Sequence, residues 1–181
     1  MAQIVSRPQY NVRVFSLADV FRVLIRMRDE ARVLEYAIGG ATAVLFYAEP
    51  TRTYDLDVFL LLLDDSDASF VSLSGIYSWA QEQGFTLDAE HVMIHGVPVQ
   101  FLPAYNQLVA EAVREARVHE YEGVAVPVIG PEHLTALALQ AGGARRRERA
   151  WQLLESGAVD RMKLRGILDA HGIAIDIPDD V

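Results

Sequence analysis

The chain has no cysteine in 181 residues. Disulfide staples, thiolate nucleophiles and cysteine-ligated zinc or iron–sulfur sites are therefore excluded. Lysine is almost absent: Lys163 is the single one among 16 basic residues, so charge contacts to phosphate fall to arginine. Apolar runs are short. The longest strongly apolar stretch, Val58 to Leu63, is strand-sized, far below the roughly 20 residues of a membrane span. Residues 1–13 lack the apolar core of a secretory signal, so a cytoplasmic protein without membrane contact is expected. There is no Walker loop, no Rossmann fingerprint and no Gly-x-Ser-x-Gly elbow. P-loop ATPase, dehydrogenase and hydrolase readings thus lack support.

A hydrophobic fraction of 51% with 23% charged residues is that of a globular protein. A chain this long buries about 70% of its unfolded surface, so its core needs no staple. The formal charge of −9 argues against a broad basic face for non-specific nucleic-acid binding. That charge is divided. Residues 141–165 hold six arginines and Lys163 against three acids, a net +4, which leaves −13 elsewhere.

Ser16, with Asp19 three positions on, opens a helix whose apolar residues run Leu17, Val20, Phe21, Leu24, Met27 and Ala31. Glu35–Ile38 reads as a strand ending in Gly39-Gly40, followed by a helix over Ala41–Ala48 and a loop from Glu49 to Thr53. Leu56–Leu63 has the continuous apolar character of a central strand. Asp64, Asp65 and Asp67 read as a turn and cap before a helix from about Ala68 to Gln83, in which Tyr77 and Trp79 are core or interface residues. His91–Ile94 and Val97–Leu102 form a hairpin around His95-Gly96, and a helix is expected over Asn106–Arg117. Val118–Ile129 reads as a strand pair turning at Glu122-Gly123. Pro131–Ala141, Arg145–Ser156 and Asp160–His171 are helical, with Pro131 suited to a first turn. The expected organisation is an α/β core over residues 1–130 with a helical subdomain, 131–181, packed on it.

The chemistry concentrates between Tyr36 and Leu63. A glycine pair where a strand meets a helix lets backbone N–H groups approach an anion. Residues i and i+2 of a strand share a face, so Asp55 and Asp57 point together while Leu56 enters the core. Two such carboxylates suit magnesium, whose other sites go to water and substrate phosphates. A metal-clamped polyphosphate beside a glycine turn is the layout of phosphoryl or nucleotidyl transfer.

Gly39-Gly40-Ala41-Thr42-Ala43 and Arg52-Thr53-Tyr54-Asp55-Leu56-Asp57, in that order, resemble the nucleotidyltransferase superfamily of polymerase-beta-like fold. The branch with AbiEii-type toxins and related bacterial proteins looks most similar. The resemblance implies an α+β fold: a mixed sheet flanked by helices, with a C-terminal helical part. It implies nucleotide binding at Gly39, Gly40, Thr42, Arg52 and Thr53, with Thr53 bracing its loop. Asp55 and Asp57 would be catalytic and hold magnesium or manganese. It further implies transfer of a nucleoside monophosphate from NTP to a hydroxyl of RNA, protein or a small molecule, and a cognate antitoxin as partner. Two positions depart from the pattern. Many superfamily members carry a third carboxylate where Gln100 stands here, and glutamine is no general base at neutral pH. Toxin-like relatives carry a lysine where this chain has Ala138. Glu148 takes the first acid position of a later motif, and Trp151 the second.

Arg145 and Arg147, with Glu148, are the candidate phosphate or acceptor contacts, since cations at a helix start oppose its dipole and disfavour a purely structural reading. Glu90, Glu120 and Glu148 are candidates to complete the carboxylate set. His91 and His95 lie four apart, which on strands means roughly 13 Å, so they read as surface or turn histidines. A catalytically degenerate nucleotide-binding or interaction module is the alternative, favoured by Gln100 and Ala138.

Overall fold

The computed structural model describes residues 15–49, 53–63 and 72–175. Arg52 and the Asp64, Asp65 and Asp67 turn lie outside the described residues, as does the start of the helix expected from Ala68.

Helix α1 (Leu17–Asp29) begins where the Ser16 backbone N–H donates to Asp19 Oδ2 at 3.0 Å. Ala18, Val20, Phe21, Val23, Leu24 and Met27 are buried, but Ala31 falls beyond the helix, at a φ of 52°. Strand β1 (Glu35–Ile38) leads into the short helix α2 (Gly40–Val44). The helix expected to reach Ala48 stops at Val44 and continues as turns, with backbone bonds from Leu45 to Thr42 and from Phe46 to Ala43. Strand β2 (Leu56–Leu61) follows, then α3 (Ser74–Glu82), with Trp79 buried and its indole N–H donating to Glu30 Oε2.

Three strands come next: β3 (Thr86–Asp88), β4 (His91–Ile94) and β5 (Val97–Pro103). β3 is not foreseen by the sequence reading; its three residues are all exposed, so it carries no apolar alternation. The β4–β5 hairpin turns at His95-Gly96, both at positive φ, as a tight two-residue turn requires. Helix α4 (Gln107–Arg114) is capped by Asn106, whose side chain accepts from Val109 N–H at 2.8 Å. Arg117, expected at its end, instead opens strand β6 (Arg117–Tyr121), which pairs with β7 (Val124–Val128). Helices α5 (Pro131–Ala141), α6 (Ala144–Glu155) and α7 (Arg161–Ala170) complete the chain.

Among the described residues the strands form one sheet in the order β3-β4-β5-β2-β1-β7-β6. β2 is central: antiparallel to β1 and parallel to β5, while β1 pairs parallel with β7. Leu56, Val58 and Leu60 are buried, whereas Asp57 and Phe59 on the opposite face are only half-buried. That asymmetry gives β2 one core face and one face available for chemistry. Leu108 of α4 joins Leu139, Ala150, Leu154 and Leu164 of the C-terminal helices in a second apolar cluster, while Leu134 and Leu153 join the main core. Glu132 locks this helical part to the sheet. Its carboxylate is 1% exposed, ion-pairs with Arg117 of β6 at 2.6 Å and accepts the Asp160 N–H at 3.1 Å. A buried carboxylate so satisfied avoids the penalty of an unpaired charge.

Candidate active site

The β1–α2 turn and the start of β2 are pressed together, and the glycine pair is what permits it. Gly40 sits at a φ of 56°, and a Cβ there would run into the Asp57 carboxylate, with Cγ at 2.6 Å and Cβ at 2.9 Å. A Cβ on Gly39 would strike the Phe59 ring. The Gly39 N–H donates to the Asp57 carbonyl at 2.9 Å. Glycine is therefore needed at both positions for close approach of β2, besides any role of the turn toward an anion.

Both threonines of the motif brace Asp55. Thr42, 4% exposed, donates its hydroxyl to the Asp55 carbonyl at 3.1 Å, and Thr53 donates to the same oxygen at 2.9 Å. Two hydroxyls on one carbonyl fix the backbone immediately before β2. Asp55 consequently stands beside Asp57 with its side chain partly in solvent.

Asp57 is held above the usual carboxylate range, first by burial and then by the negative charge of Asp55. Arg149, His91 and Arg146 oppose the shift. Two carboxylates at one place, one of them desolvated, repel each other, and a divalent cation relieves that repulsion. The donor set therefore fits magnesium: Asp55 and Asp57 would hold it, leaving its other positions for water and phosphate oxygens. Among the described residues no group of three or more His, Asp or Glu side chains suited to a metal forms, and Glu90, Glu120 and Glu148 are all exposed.

Gln100 lies in register with Asp57 across β5–β2, and His91 lies in register with Gln100 across β4–β5. Directly opposed residues share a face, so His91, Gln100 and Asp57 form one row. His91 Nε2 is 3.9 Å from Asp55 Oδ2. The sequence reading of His91 as a surface or turn histidine is thus corrected: the sheet carries it to the carboxylates. His95 does occupy the hairpin turn, stacked on Phe15 with ring centroids 4.0 Å apart.

A cavity of about 350 Å³ opens over Asp57 and Gln100, with His91 and Asp55 outside its lining. Gly40, Asp57 and Gln100 line its sheet wall; Leu137, Ala138 and Leu153 lie on the helical wall, with Arg146 and Arg149. Ala138, Leu137 and Leu153 make part of that wall apolar beside the two arginines. Arg145, Arg147 and Glu148 are exposed and outside the lining. The reason is helical phase: Arg146, Arg149 and Leu153 recur at three and four residues and share a face with buried Ala150. That signal was present in the sequence, because an apolar pair in the same helix marks which arginines face inward. Tyr105, between β5 and α4, also lines the cavity, and no motif pointed to it.

The seven-stranded mixed sheet flanked by helices is that of a nucleotidyltransferase-like fold. Solved structures agree. A crystal structure of an antigenic nucleotidyltransferase-like protein from Paracoccidioides brasiliensis superposes with a TM-score of 0.55 at 14% identity, covering 86% of each chain. The solution structure of the antibiotic-resistance factor ANT(2'')-Ia gives 0.52 at 14% identity, over 86% of this chain and 91% of that one. A crystal structure of ANT(2'')-Ia in complex with adenylyl-2''-tobramycin gives 0.51 at 13% identity, over 86% and 97%. At these identities the likeness is one of fold. No protein-family model matches the chain, and no curated protein matches it. No described helix is long and apolar enough to cross a membrane.

Proposed function

We propose that this chain is a nucleotidyltransferase that binds an NTP with magnesium and transfers its nucleoside monophosphate to a hydroxyl acceptor. One observation carries the reading: Asp57 is pressed against Gly40 with the Asp55 charge beside it, and Asp57 opens on the same cavity as Arg146 and Arg149. Asp55 and Asp57 hold the metal, and the two guanidiniums bind triphosphate oxygens. Bound there, magnesium would neutralise phosphate charge and render the α-phosphorus more electrophilic. The acceptor oxygen bonds to that phosphorus, the bond to the bridging oxygen of the β-phosphate breaks, and pyrophosphate leaves. The acceptor proton passes to solvent water, because Gln100 cannot accept it at neutral pH. The acceptor is RNA, a protein or a small molecule. A toxin-like role restrained by a cognate antitoxin rests on the motif resemblance of Gly39 to Asp57 alone.

Thermal shift with ATP, GTP, CTP and UTP, with and without magnesium, tests the binding step. Metal-dependent stabilisation that disappears in Asp55→Ala supports it; no shift with any nucleotide overturns it. A second reading, nucleotide binding without turnover, is favoured by Gln100 standing in register with Asp57. Incorporation of labelled NTP into an acceptor rules that second reading out.

A further inference from the structure

We infer that Tyr105 is the platform on which the base of the bound nucleotide stacks, so that the site takes any NTP rather than reading one base by its edge. The inference rests on the nucleotide reading above. Two aromatic residues line the cavity, Phe59 and Tyr105. Phe59 is committed: its ring lies under Gly39 and packs on the core. Tyr105 is 66% exposed, which leaves most of the residue open to a ligand. Its backbone is pinned on both sides. The Ala104 N–H donates to the Leu60 carbonyl at 2.9 Å, and Asn106 caps α4 while its amide donates to Gln140 Oε1 at 3.0 Å. On a pinned backbone a tyrosine has only its two side-chain torsions to lose when a ligand covers it.

The lining sorts the nucleotide by chemistry. Arg146, Arg149 and Asp57 belong to the phosphate and metal end, and Gln100 is tied to that end by its register with Asp57. Tyr105 is then the remaining polar side chain of this lining, beside apolar Leu102, Leu137 and Ala141, although it also borders a second, more open cavity with Asn106, Gln107 and Arg114. Such a wall offers a base a face to stack on and few donors or acceptors to discriminate its edge. Stacking on an aromatic ring is tolerant of base identity.

The test is calorimetric titration of the four NTPs and of inorganic tripolyphosphate, all with magnesium, into the full chain and two variants. Tyr105→Ala is expected to weaken every NTP about tenfold while leaving tripolyphosphate unchanged, and Tyr105→Phe to bind like the parent. Purine NTPs are expected to bind more tightly than pyrimidine NTPs, all four falling within about tenfold of one another. Unchanged NTP affinity in Tyr105→Ala, an equal loss for tripolyphosphate, or a preference above about a hundredfold for one base would each overturn the inference. If the parent chain binds neither NTP nor tripolyphosphate, the nucleotide reading itself fails and takes this one with it.

Discussion

The two walls of the cavity are built on different principles. The sheet wall is jammed: Gly40 has no room for a methyl group, Asp57 is pressed against it, and both motif threonines are spent on one Asp55 carbonyl. The helical wall is loose by comparison. It presents Ala138, leaves Arg146 exposed and Arg149 half-buried, and Gln152 of the same helix bonds to the Glu49 carbonyl in the loop after α2. A wall fixed by backbone contact suits a metal, whose ligands need fixed positions; a wall of long cationic side chains suits a charged ligand of variable shape. The contrast places geometric precision on β2 and electrostatic attraction on α6.

The strongest way to break that contrast is to add one methyl group to each side. Gly40→Ala should cost about 3 kcal/mol or more in urea unfolding, because it combines a left-handed backbone with a collision at Asp57. Gly157→Ala, in the helical part at a φ of 74° with open space around it, should cost only about 1–2 kcal/mol. Equal costs would show that the sheet wall is no more tightly packed than the helical part.

Asp57→Asn should come next in effect. It removes the magnesium-dependent response to nucleotide, yet raises the melting temperature of the ligand-free protein, since a desolvated charge beside Asp55 disappears. The sign follows from linkage. The folded carboxyl is held above its unfolded value, so the folded state keeps its proton longer and loses stability as pH rises through the raised value. Melting curves against pH should show that loss in the parent and a flatter profile in Asp57→Asn.

On the helical wall, Arg146→Ala and Arg149→Ala should each weaken magnesium–triphosphate binding about tenfold by calorimetry, while Arg145→Ala and Arg147→Ala stay within about twofold. If the outward pair matters as much as the inward pair, the wall attracts phosphate by bulk charge rather than by facing it.

The smallest effect concerns how the helical part is tied down. Glu111 of α4 bonds His133 of α5 and His171 just after α7, both at 3.0 Å, which holds its carboxyl below the usual range, His133 contributing most. A lowered carboxyl supplies stability above its unfolded value and loses it as pH falls through the folded value. Glu111 is more than a third exposed, so the loss should stay within about 1 kcal/mol, and Glu111→Gln should flatten that acid limb of the melting profile.

The same division governs what the sequence revealed. Gly39, Gly40, Asp55 and Asp57 were legible because their arrangement follows from local geometry, the two-residue period of a strand and the conformational freedom of glycine. The nucleotidyltransferase-like fold was legible from their order along the chain. His91 was missed because it reaches Asp55 through register across β4, β5 and β2, which no local spacing records. Arg145 and Arg147 fall outside the cavity that Arg146 and Arg149 line, since counting charges in α6 ignores where Ala150 and Leu153 point. Tyr105 belongs to a connection whose placement depends on both flanking elements.

The central claim is that the sheet wall holds a metal-bound nucleotide through Asp55 and Asp57. Calorimetric titration of ATP with and without magnesium, into the parent chain and Asp57→Asn, tests it most directly. The account predicts binding in the parent that depends on magnesium and is lost in the variant. Magnesium-dependent binding of equal strength in Asp57→Asn would contradict it.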